Sequence, residues 1–273
     1  MSFSRREFIN KSLKTACLSC AFAKSLTAGK QEVWQKEARY YTKLEDQKVR
    51  CDLCPNNCMI RNGKRGICRV RENQEGTLYT LVYGRLCSMN IDPVEKKPLN
   101  HFLPGKNALS VATAGCNVHC KFCQNWTIAQ VKPEDIRYQF YSPSNLIKIT
   151  EQYSTPIIAF TYSEPVIFFE YMLDVAKLAK AAGIKTVMIS NGYINEEPLK
   201  ELCQYITAIK VDFKGYSEEF YKKIVRGQLR PVLNTMKTIH EQKIWLEIVN
   251  LLIPTHNDSN EQVSGLCQWV MDN

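Results

Sequence analysis

The stretch ALSVATAGCNVHCKFC, residues 108–123, joins a strand pattern to a cysteine motif. Its first six residues are largely apolar and predict a buried strand. Cys116, Cys120 and Cys123 follow directly, so we expect them in a loop at the carboxyl end of that strand, where α/β folds place their chemistry. Three thiolates at CxxxCxxC spacing can bind three corners of a cubane, whereas a fully cysteine-ligated cluster takes four. The spacing therefore predicts a [4Fe-4S] cluster with one iron left open to a ligand.

A zinc site is the alternative for this motif, with His119 as the fourth ligand. His119 directly precedes Cys120, and two adjacent side chains converge on one ion only with difficulty. We therefore favour the cluster over zinc.

Strand-like runs alternate with amphipathic segments from the motif onward. The runs are 108–113, 157–161, 186–190, 208–213 and 245–253, and the segments between them include 167–182 and 218–240. This alternation predicts parallel βαβ units. Five units are visible where a closed barrel needs eight. We therefore predict an α/β fold, an incomplete (β/α) TIM-like barrel preceded by a small N-terminal cysteine-rich module.

The CxxxCxxC motif, with the aromatic Phe122 before its last cysteine, strongly resembles the signature of the radical S-adenosylmethionine (SAM) superfamily. The resemblance implies that the open iron binds the amino and carboxylate groups of SAM. An electron from a low-potential donor, passed through the cluster, then breaks the sulfonium C–S bond, and the 5′-deoxyadenosyl radical abstracts hydrogen from a substrate. It implies no catalytic residue beyond the cluster and SAM.

Three further stretches follow successive strand runs. Residues 161–165 stand where the superfamily has a Gly-Gly-Glu-Pro motif that contacts the amino group of SAM, with Tyr162 and Ser163 in place of the two glycines. Residues 190–192 and 210–214 are similar to the Thr-Asn-Gly and Asp-Leu-Lys elements of glycyl-radical-activating enzymes. The cofactor-binding residues that the resemblance implies are Phe122, Ser163, Glu164, Pro165, Ser190, Asn191, Asp212 and Lys214. His256 ends the fifth run and is a further candidate, with a surface-turn histidine as the alternative.

Four more cysteines lie close together near the N-terminus: Cys51, Cys54, Cys58 and Cys68. Short gaps and the glycines among them suit a closed four-thiolate site, either a structural zinc or an auxiliary iron–sulfur cluster. Two disulfides are the alternative.

The combination of this module with residues 92–99, 123–126 and 162–165 resembles the radical SAM component of the AmmeMemoRadiSam system, which is related to pyruvate formate-lyase activating enzymes. The resemblance implies Memo-like and AMMECR1-like partner proteins. Glycyl-radical enzyme activation is a rival function, and a zinc-binding interaction module with a degenerate barrel is a rival from another class. We expect a linker at 30–49, the cysteine-rich module at 50–100 and the core at 101–273, in a short form that lacks a sixth unit.

Residues 1–29 resemble a twin-arginine export signal. Arg5 and Arg6 begin the pattern, an apolar run covers 16–23, and Ala21-Phe22-Ala23 suits cleavage. Export to the periplasm is therefore expected, with a cytoplasmic location as the alternative.

The sequence contains no run of eighteen apolar residues, so no transmembrane helix is predicted. Of the net charge of +9, residues 1–50 carry +6, from eleven Lys/Arg and five Asp/Glu, so no nucleic-acid partner is predicted.

Overall fold

Strands and helices alternate through most of the chain that the structure describes. The computed structural model describes residues 35–273. The strands are β1 (Lys36–Glu37), β2 (Tyr41–Lys43), β3 (Val49–Cys51), β4 (Met59–Ile60), β5 (Arg71–Gln74), β6 (Thr77–Thr80), β7 (Arg85–Leu86), β8 (Ser88–Pro93), β9 (Asn107–Ala112), β10 (Gln139–Phe140), β11 (Ile157–Phe160), β12 (Lys185–Ser190), β13 (Ala208–Phe213) and β14 (Trp245–Asn250). The α-helices are α1 (Trp126–Ala129), α2 (Pro143–Gln152), α3 (Phe169–Ala181), α4 (Glu196–Cys203), α5 (Glu218–Phe220), α6 (Leu229–Glu241) and α7 (Asn260–Asp272).

One mixed sheet of six strands, in the order β14-β13-β12-β11-β9-β8, lies at the centre of the fold. Five of its strands run parallel: β9, β11, β12, β13 and β14. The sixth, β8, pairs antiparallel with β9. Each parallel strand corresponds to one of the five predicted runs. Since β14 and β8 are edges of this sheet, the barrel is open. The predicted α/β fold with an incomplete (β/α) barrel is therefore confirmed.

The inner parallel strands are largely apolar because both faces of the sheet are covered. Every residue of β11 is buried. Its alternate residues point to two different apolar clusters, Ile158 and Phe160 to the larger one and Ile157 and Ala159 to a smaller one that also holds Leu99. Continuous burial explains why these strands could be recognised from the sequence alone.

The segment 218–240 does not form one continuous helix. After α5 comes a π-helical turn, Tyr221–Val225, and Arg226 adopts a left-handed conformation with a φ of 61°. The next helix, α6, starts only at Leu229. The apolar spacing predicts a single amphipathic segment over these residues. That prediction is wrong, because the left-handed conformation of Arg226 ends the helix.

The cysteine-rich module is built from two small antiparallel sheets, ordered β1-β6-β5 and β2-β3-β4. Residues 36–43 belong to these sheets, although the polar sequence predicts a linker or surface helix there. Ala38 is buried and donates a backbone hydrogen bond to Leu78, and the ring of Tyr40 packs edge-on against Phe169. The composition of residues 36–43 does not predict ordered structure, and β1 is ordered by pairing with the distant strand β6. β8, within the residues assigned to this module, pairs with the large sheet.

Among the described residues, no helix is both long and apolar enough to span a membrane. The twin-arginine pattern and the apolar run after it lie outside the described residues, as does the start of the expected linker.

Candidate functional site

A cavity of about 490 Å³ opens where the parallel strands end. Its wall comes from the segments that follow β9, β11, β12, β13 and β14, as expected for chemistry at the carboxyl ends of parallel strands. The sequence-predicted residues in this wall are Cys116, Cys120, Phe122, Cys123, Ser163, Glu164, Asn191, Asp212 and Lys214. The fold therefore brings nine predicted side chains, spread over about a hundred residues of sequence, to one place.

The three cysteines of the motif line this cavity together. Cys116 is buried, and Cys120 and Cys123 are half-buried. Burial raises the pKa of the Cys120 thiol to about 11, and the nearby Lys214 acts in the opposite direction. Burial also raises the pKa of Cys116, and the carboxylate of Glu164 adds to that increase. Thiols must lose their protons to bind metal, so metal binding here is favoured by alkaline pH.

Three thiols that line one cavity suit a cubane, which takes its cysteines on separate irons. Across residues 35–273, no group of three or more His, Cys, Asp or Glu side chains is arranged to hold a single metal ion.

The cysteine loop is held from the outside by the π-helical turn. The backbone N–H groups of His119 and Lys121 donate to the carbonyl oxygens of Val225 and Ile224 at 3.1 and 3.0 Å. The ring of Phe122 stacks on Phe220 with 6.0 Å between ring centroids. Phe122 thus lines the cavity and also anchors the loop. π turns are rare and often occur at functional sites, and this one shapes the backbone between two of the thiols.

Glu164 is a buried carboxylate at the end of β11. It accepts hydrogen bonds from Ser190 Oγ at 2.7 Å, from Asn191 N at 2.9 Å and from Val166 N at 3.1 Å. Burial raises the pKa of this carboxyl to about 7. Ser190 is itself buried, and its contribution to the site is this bond to Glu164. The carboxylate therefore ties the end of β11 to the end of β12.

Ser163 and Pro165 flank Glu164 and differ in what they offer a ligand. The hydroxyl of Ser163 is buried in the cavity wall and has no hydrogen-bond partner within residues 35–273. A buried polar atom without a partner is uncommon, and it fits a polar group of a ligand in the cavity. Pro165 is buried at the first position of a 3₁₀ turn, Pro165–Phe168, so its role is to start that turn.

Asp212 and Lys214 face the same cavity from the end of β13. Their side chains lie 3.7 Å apart, and Asp212 also forms an ion pair with Lys210. Lys210 is buried in the strand, and burial lowers the pKa of its ammonium group. Sequence reasoning missed Lys210, although a lysine inside an otherwise apolar strand is a signal that can be read directly.

Asn191 links the third strand end to the cysteine loop. Its amide donates to Asn117 Oδ1 at 2.9 Å and lies 3.8 Å from Cys116 Sγ, while Asn117 donates to the carbonyl of Tyr193 at 2.6 Å. His256, by contrast, is exposed in the turn after β14 and does not line the cavity. Its neighbour Asn257 is fully buried and is the residue that braces this turn, donating to the carbonyl of Lys214 at 2.6 Å.

A group that includes Lys97 and Tyr162 of the cavity wall was also missed. Lys97 is buried and forms an ion pair with Asp92, and the hydroxyl of Tyr162 hydrogen-bonds to both. The Lys97 ammonium lies 4.3 Å from the centre of the Tyr162 ring. Tyr162 has a φ of 64°, a left-handed conformation that glycine adopts more easily. The bonds of its hydroxyl compensate for that backbone conformation, and they depend on partners 65 to 70 residues away in sequence.

The four N-terminal cysteines form a second group outside this cavity. Cys51, Cys54 and Cys68 are buried and Cys58 is half-buried. Burial and the neighbouring thiols raise the pKa of Cys54 and of Cys58. The buried guanidinium of Arg71 lies 3.9 Å from Cys51 Sγ. The thiols are thus close enough to act on one another electrostatically, beside a buried positive charge.

A family model described as the Radical SAM superfamily matches residues 110–267, from within β9 to within α7. An uncharacterized protein of Methanocaldococcus jannaschii is 44% identical over 87% of this chain and 70% of its own length.

A pyruvate formate-lyase-activating enzyme of Listeria monocytogenes is 26% identical, over 57% of this chain and 66% of its own length. A solved radical SAM methyltransferase from Sphaerobacter thermophilus aligns with a TM-score of 0.49 and 14% identity, over 62% of this chain and 54% of that one. Since the family model matches more than half of the chain, and the cysteines of its signature line one cavity, the chain belongs to the radical SAM superfamily and is related to the pyruvate formate-lyase-activating enzymes.

Proposed function

We propose that this radical SAM enzyme binds a [4Fe-4S] cluster through Cys116, Cys120 and Cys123, cleaves SAM reductively there, and abstracts hydrogen from a substrate in the same cavity. The observation that supports this most directly is that the three thiols share one cavity wall with Asp212 and with the Ser163 hydroxyl, which has no hydrogen-bond partner in the described part of the chain. When bound, the cluster supplies the electron that breaks the sulfonium C–S bond, and an electron donor must reduce it.

The residues of the chain have separate tasks in this proposal. Lys214, close to Cys120, favours the thiolate that a metal requires. Ser163 offers a free hydroxyl and Asp212 a carboxylate, which suit the polar amino-acid and ribose parts of SAM. Glu164 holds the ends of β11 and β12 in place, since its carboxylate already accepts three hydrogen bonds from protein.

The test is the formation of 5′-deoxyadenosine by the iron-reconstituted protein under anaerobic conditions with dithionite and SAM. We expect Cys120→Ala to abolish the product, because two thiolates do not hold the cluster in a state that binds SAM. Cys203→Ala is the matched control, since Cys203 is a buried thiol at the end of α4 and does not line the cavity. Product formation by Cys120→Ala at the wild-type rate would overturn the proposal.

Activation of a glycyl-radical enzyme is the second candidate. It is favoured by the similarity to pyruvate formate-lyase-activating enzymes. Incubation with such an enzyme should then produce the spin-resonance signal of a glycyl radical. Absence of that signal, with 5′-deoxyadenosine still formed, would leave a different substrate as the target.

We further propose that Cys51, Cys54, Cys58 and Cys68 bind a structural zinc or a closed auxiliary cluster. The described residues hold no group of thiols arranged around a single ion, so binding of zinc requires these four thiols to move closer together. Their mutual proximity and the adjacent Arg71 guanidinium suit a group of thiolates. Metal analysis separates the two choices, since zinc with about four irons per chain indicates the former and about eight irons the latter. Neither result would be obtained if these thiols bind no metal.

Two proposals rest on sequence alone. The resemblance to the AmmeMemoRadiSam component suggests Memo-like and AMMECR1-like partners. Co-expression with such proteins and purification through a tag on this protein tests the proposal, and failure of the partners to co-purify would contradict it. Export by the twin-arginine route follows from Arg5 and Arg6. Cell fractionation of the protein with and without Arg5→Lys/Arg6→Lys tests it, and an unchanged distribution would contradict it.

A further inference from the structure

The segments that carry the two cysteine groups touch each other in the folded chain, although 62 positions separate Cys54 from Cys116 in sequence. We propose that the four-cysteine module positions the three-cysteine loop, with Asn56 as the positioning residue. This inference rests on the proposed function of the loop as a cluster site. Three separate contacts support it.

The first contact runs through Asn56, which lies between Cys54 and Cys58. Its amide Nδ2 is 3.7 Å from Cys54 Sγ and donates to the backbone carbonyl of Asn117 at 2.7 Å. Asn117 immediately follows Cys116 and is completely buried. One amide group therefore touches a thiol of one group and the backbone beside a thiol of the other.

The second contact is a close approach of backbone. Gly115 precedes Cys116 and has a φ of 102°. A Cβ atom at this position would lie 2.8 Å from the carbonyl oxygen of Cys68 and 2.6 Å from Val70 Cγ1. The last cysteine of the module thus packs directly on the start of the three-cysteine loop, at a distance that only glycine permits.

The third contact is made by His119, between Cys116 and Cys120. Its Nε2 lies 3.3 Å from the carbonyl oxygen of Ile67, the residue before Cys68, and its Nδ1 hydrogen-bonds to Gln130. The carbonyl of Gln130 in turn accepts from Arg69, directly after Cys68. Gly115 and His119, on either side of Cys116, are thus both held by the backbone at or next to Cys68.

A common geometric cause connects these contacts. The backbone of Cys54–Cys58 and of Cys68 carries all but one of the module thiols, and the same backbone presents Asn56 and the Cys68 carbonyl to the loop. Loss of that conformation would release Gly115 and Asn117, on either side of Cys116, at the same time. The module is therefore suited to hold Cys116 in the position that a cluster requires.

Asn56→Ala tests this with little disturbance of the fold. In the metal-free protein we expect hydrogen exchange at residues 115–123 to rise about fivefold, which corresponds to the net loss of one hydrogen bond. In the reconstituted, reduced protein we expect a changed spin-resonance signal in the presence of SAM. Asn62→Ala is the matched control, because Asn62 forms its side-chain hydrogen bonds with Gln47 and Glu75 inside the module.

The outcomes separate this inference from the proposed function. If the wild-type signal does not respond to SAM, the proposed function fails. If the wild-type signal responds and Asn56→Ala matches both wild type and Asn62→Ala in exchange and in spin signal, the positioning role is refuted and the proposed function stands. Altered exchange and signal in Asn56→Ala alone is the supporting result.

Discussion

Glu164 is an ionisable side chain that connects two strand ends at the cavity. Its carboxylate is fully enclosed, and its hydrogen bonds come from the backbone of Val166 and Asn191 and from the hydroxyl of Ser190. Burial disfavours the charged form more than these bonds favour it, so the pKa rises from 4.5 to about 7. The stability of the metal-free protein should therefore depend on pH through this residue.

Glu164→Gln should remove a pH dependence from the metal-free protein. The folded-state pKa lies above the ordinary value of 4.5, so the folded protein binds the proton more tightly, and the free energy of unfolding falls as pH rises from about 4.5 to 7. The full effect is about 3 kcal/mol. Urea denaturation of both proteins across this pH range measures it. A difference between them that does not vary with pH would contradict the assignment.

The residues of the site could be predicted where they follow a strand directly. Ser163, Glu164 and Lys214 do so, Asp212 is the second-last residue of β13, and all four line the cavity. His256 also follows a strand run, but the turn after β14 leaves it exposed. The contacts of Asp92, Lys97 and Asn56 join positions about 60 to 70 residues apart, and no periodicity in a single sequence records such pairs.

At the scale of elements, the strand-to-loop junction after β9 depends on Gly115. The residue adopts a φ of 102° and packs against the Cys68 carbonyl and Val70. A side chain here would meet both an unfavourable backbone conformation and a steric clash. The junction that carries Cys116 is therefore specified by a single glycine.

Gly115→Ala should destabilise the protein far more than a glycine substitution in open space. We expect a loss of about 3 kcal/mol or more in the free energy of unfolding, from backbone strain and the clash combined. Gly105→Ala is the control, because Gly105 has a φ of 77° and, apart from its chain neighbours, no described residue has an atom within 4 Å of the point where its Cβ would be. It should cost about 1 kcal/mol. Equal losses, measured by thermal or urea unfolding, would show that the close approach is unimportant.

The parallel strands could be predicted because they are largely apolar runs, buried in β11 and β13 and partly exposed in the edge strand β14. β8 could not, because it contains Asn90 and Asp92 and ends in a proline, which together indicate a turn. Its pairing with β9 is what makes it a strand. The same holds for β1 and β2, whose polar residues become ordered only through partners elsewhere in the module.

At the scale of the molecule, a buried ion pair joins the cysteine-rich module to the barrel. Arg71 in β5 and Glu170 in α3 are both almost completely buried, with 2.5 Å between Nη2 and Oε1. The same carboxylate oxygen accepts from the backbone N–H of Arg39 at 2.7 Å. The guanidinium also approaches Cys51, so this pair connects the second cysteine group to a helix of the barrel.

Glu170→Ala should cost about 3–5 kcal/mol of stability, because it leaves the Arg71 charge buried without its partner. The control is Glu219→Ala, which breaks the exposed pair with Lys223 and should have a far smaller effect, as is usual for surface ion pairs. Denaturant unfolding of both variants gives the comparison. Similar values for the two would mean that the buried pair contributes no more than a surface one.

The edge strand β14 forms one side of the cavity, through Val249 and, just beyond it, the exposed Leu251. Under the proposed function, a wall of this kind leaves the cavity accessible to hydrogen donors in solution, such as thiols or the reductant, until a reactant covers it. We expect the enzyme to cleave SAM slowly when no reactant is bound, and this uncoupled cleavage to fall once the true reactant fills the opening. A compound that lowers the rate of uncoupled SAM cleavage is then a candidate for the reactant.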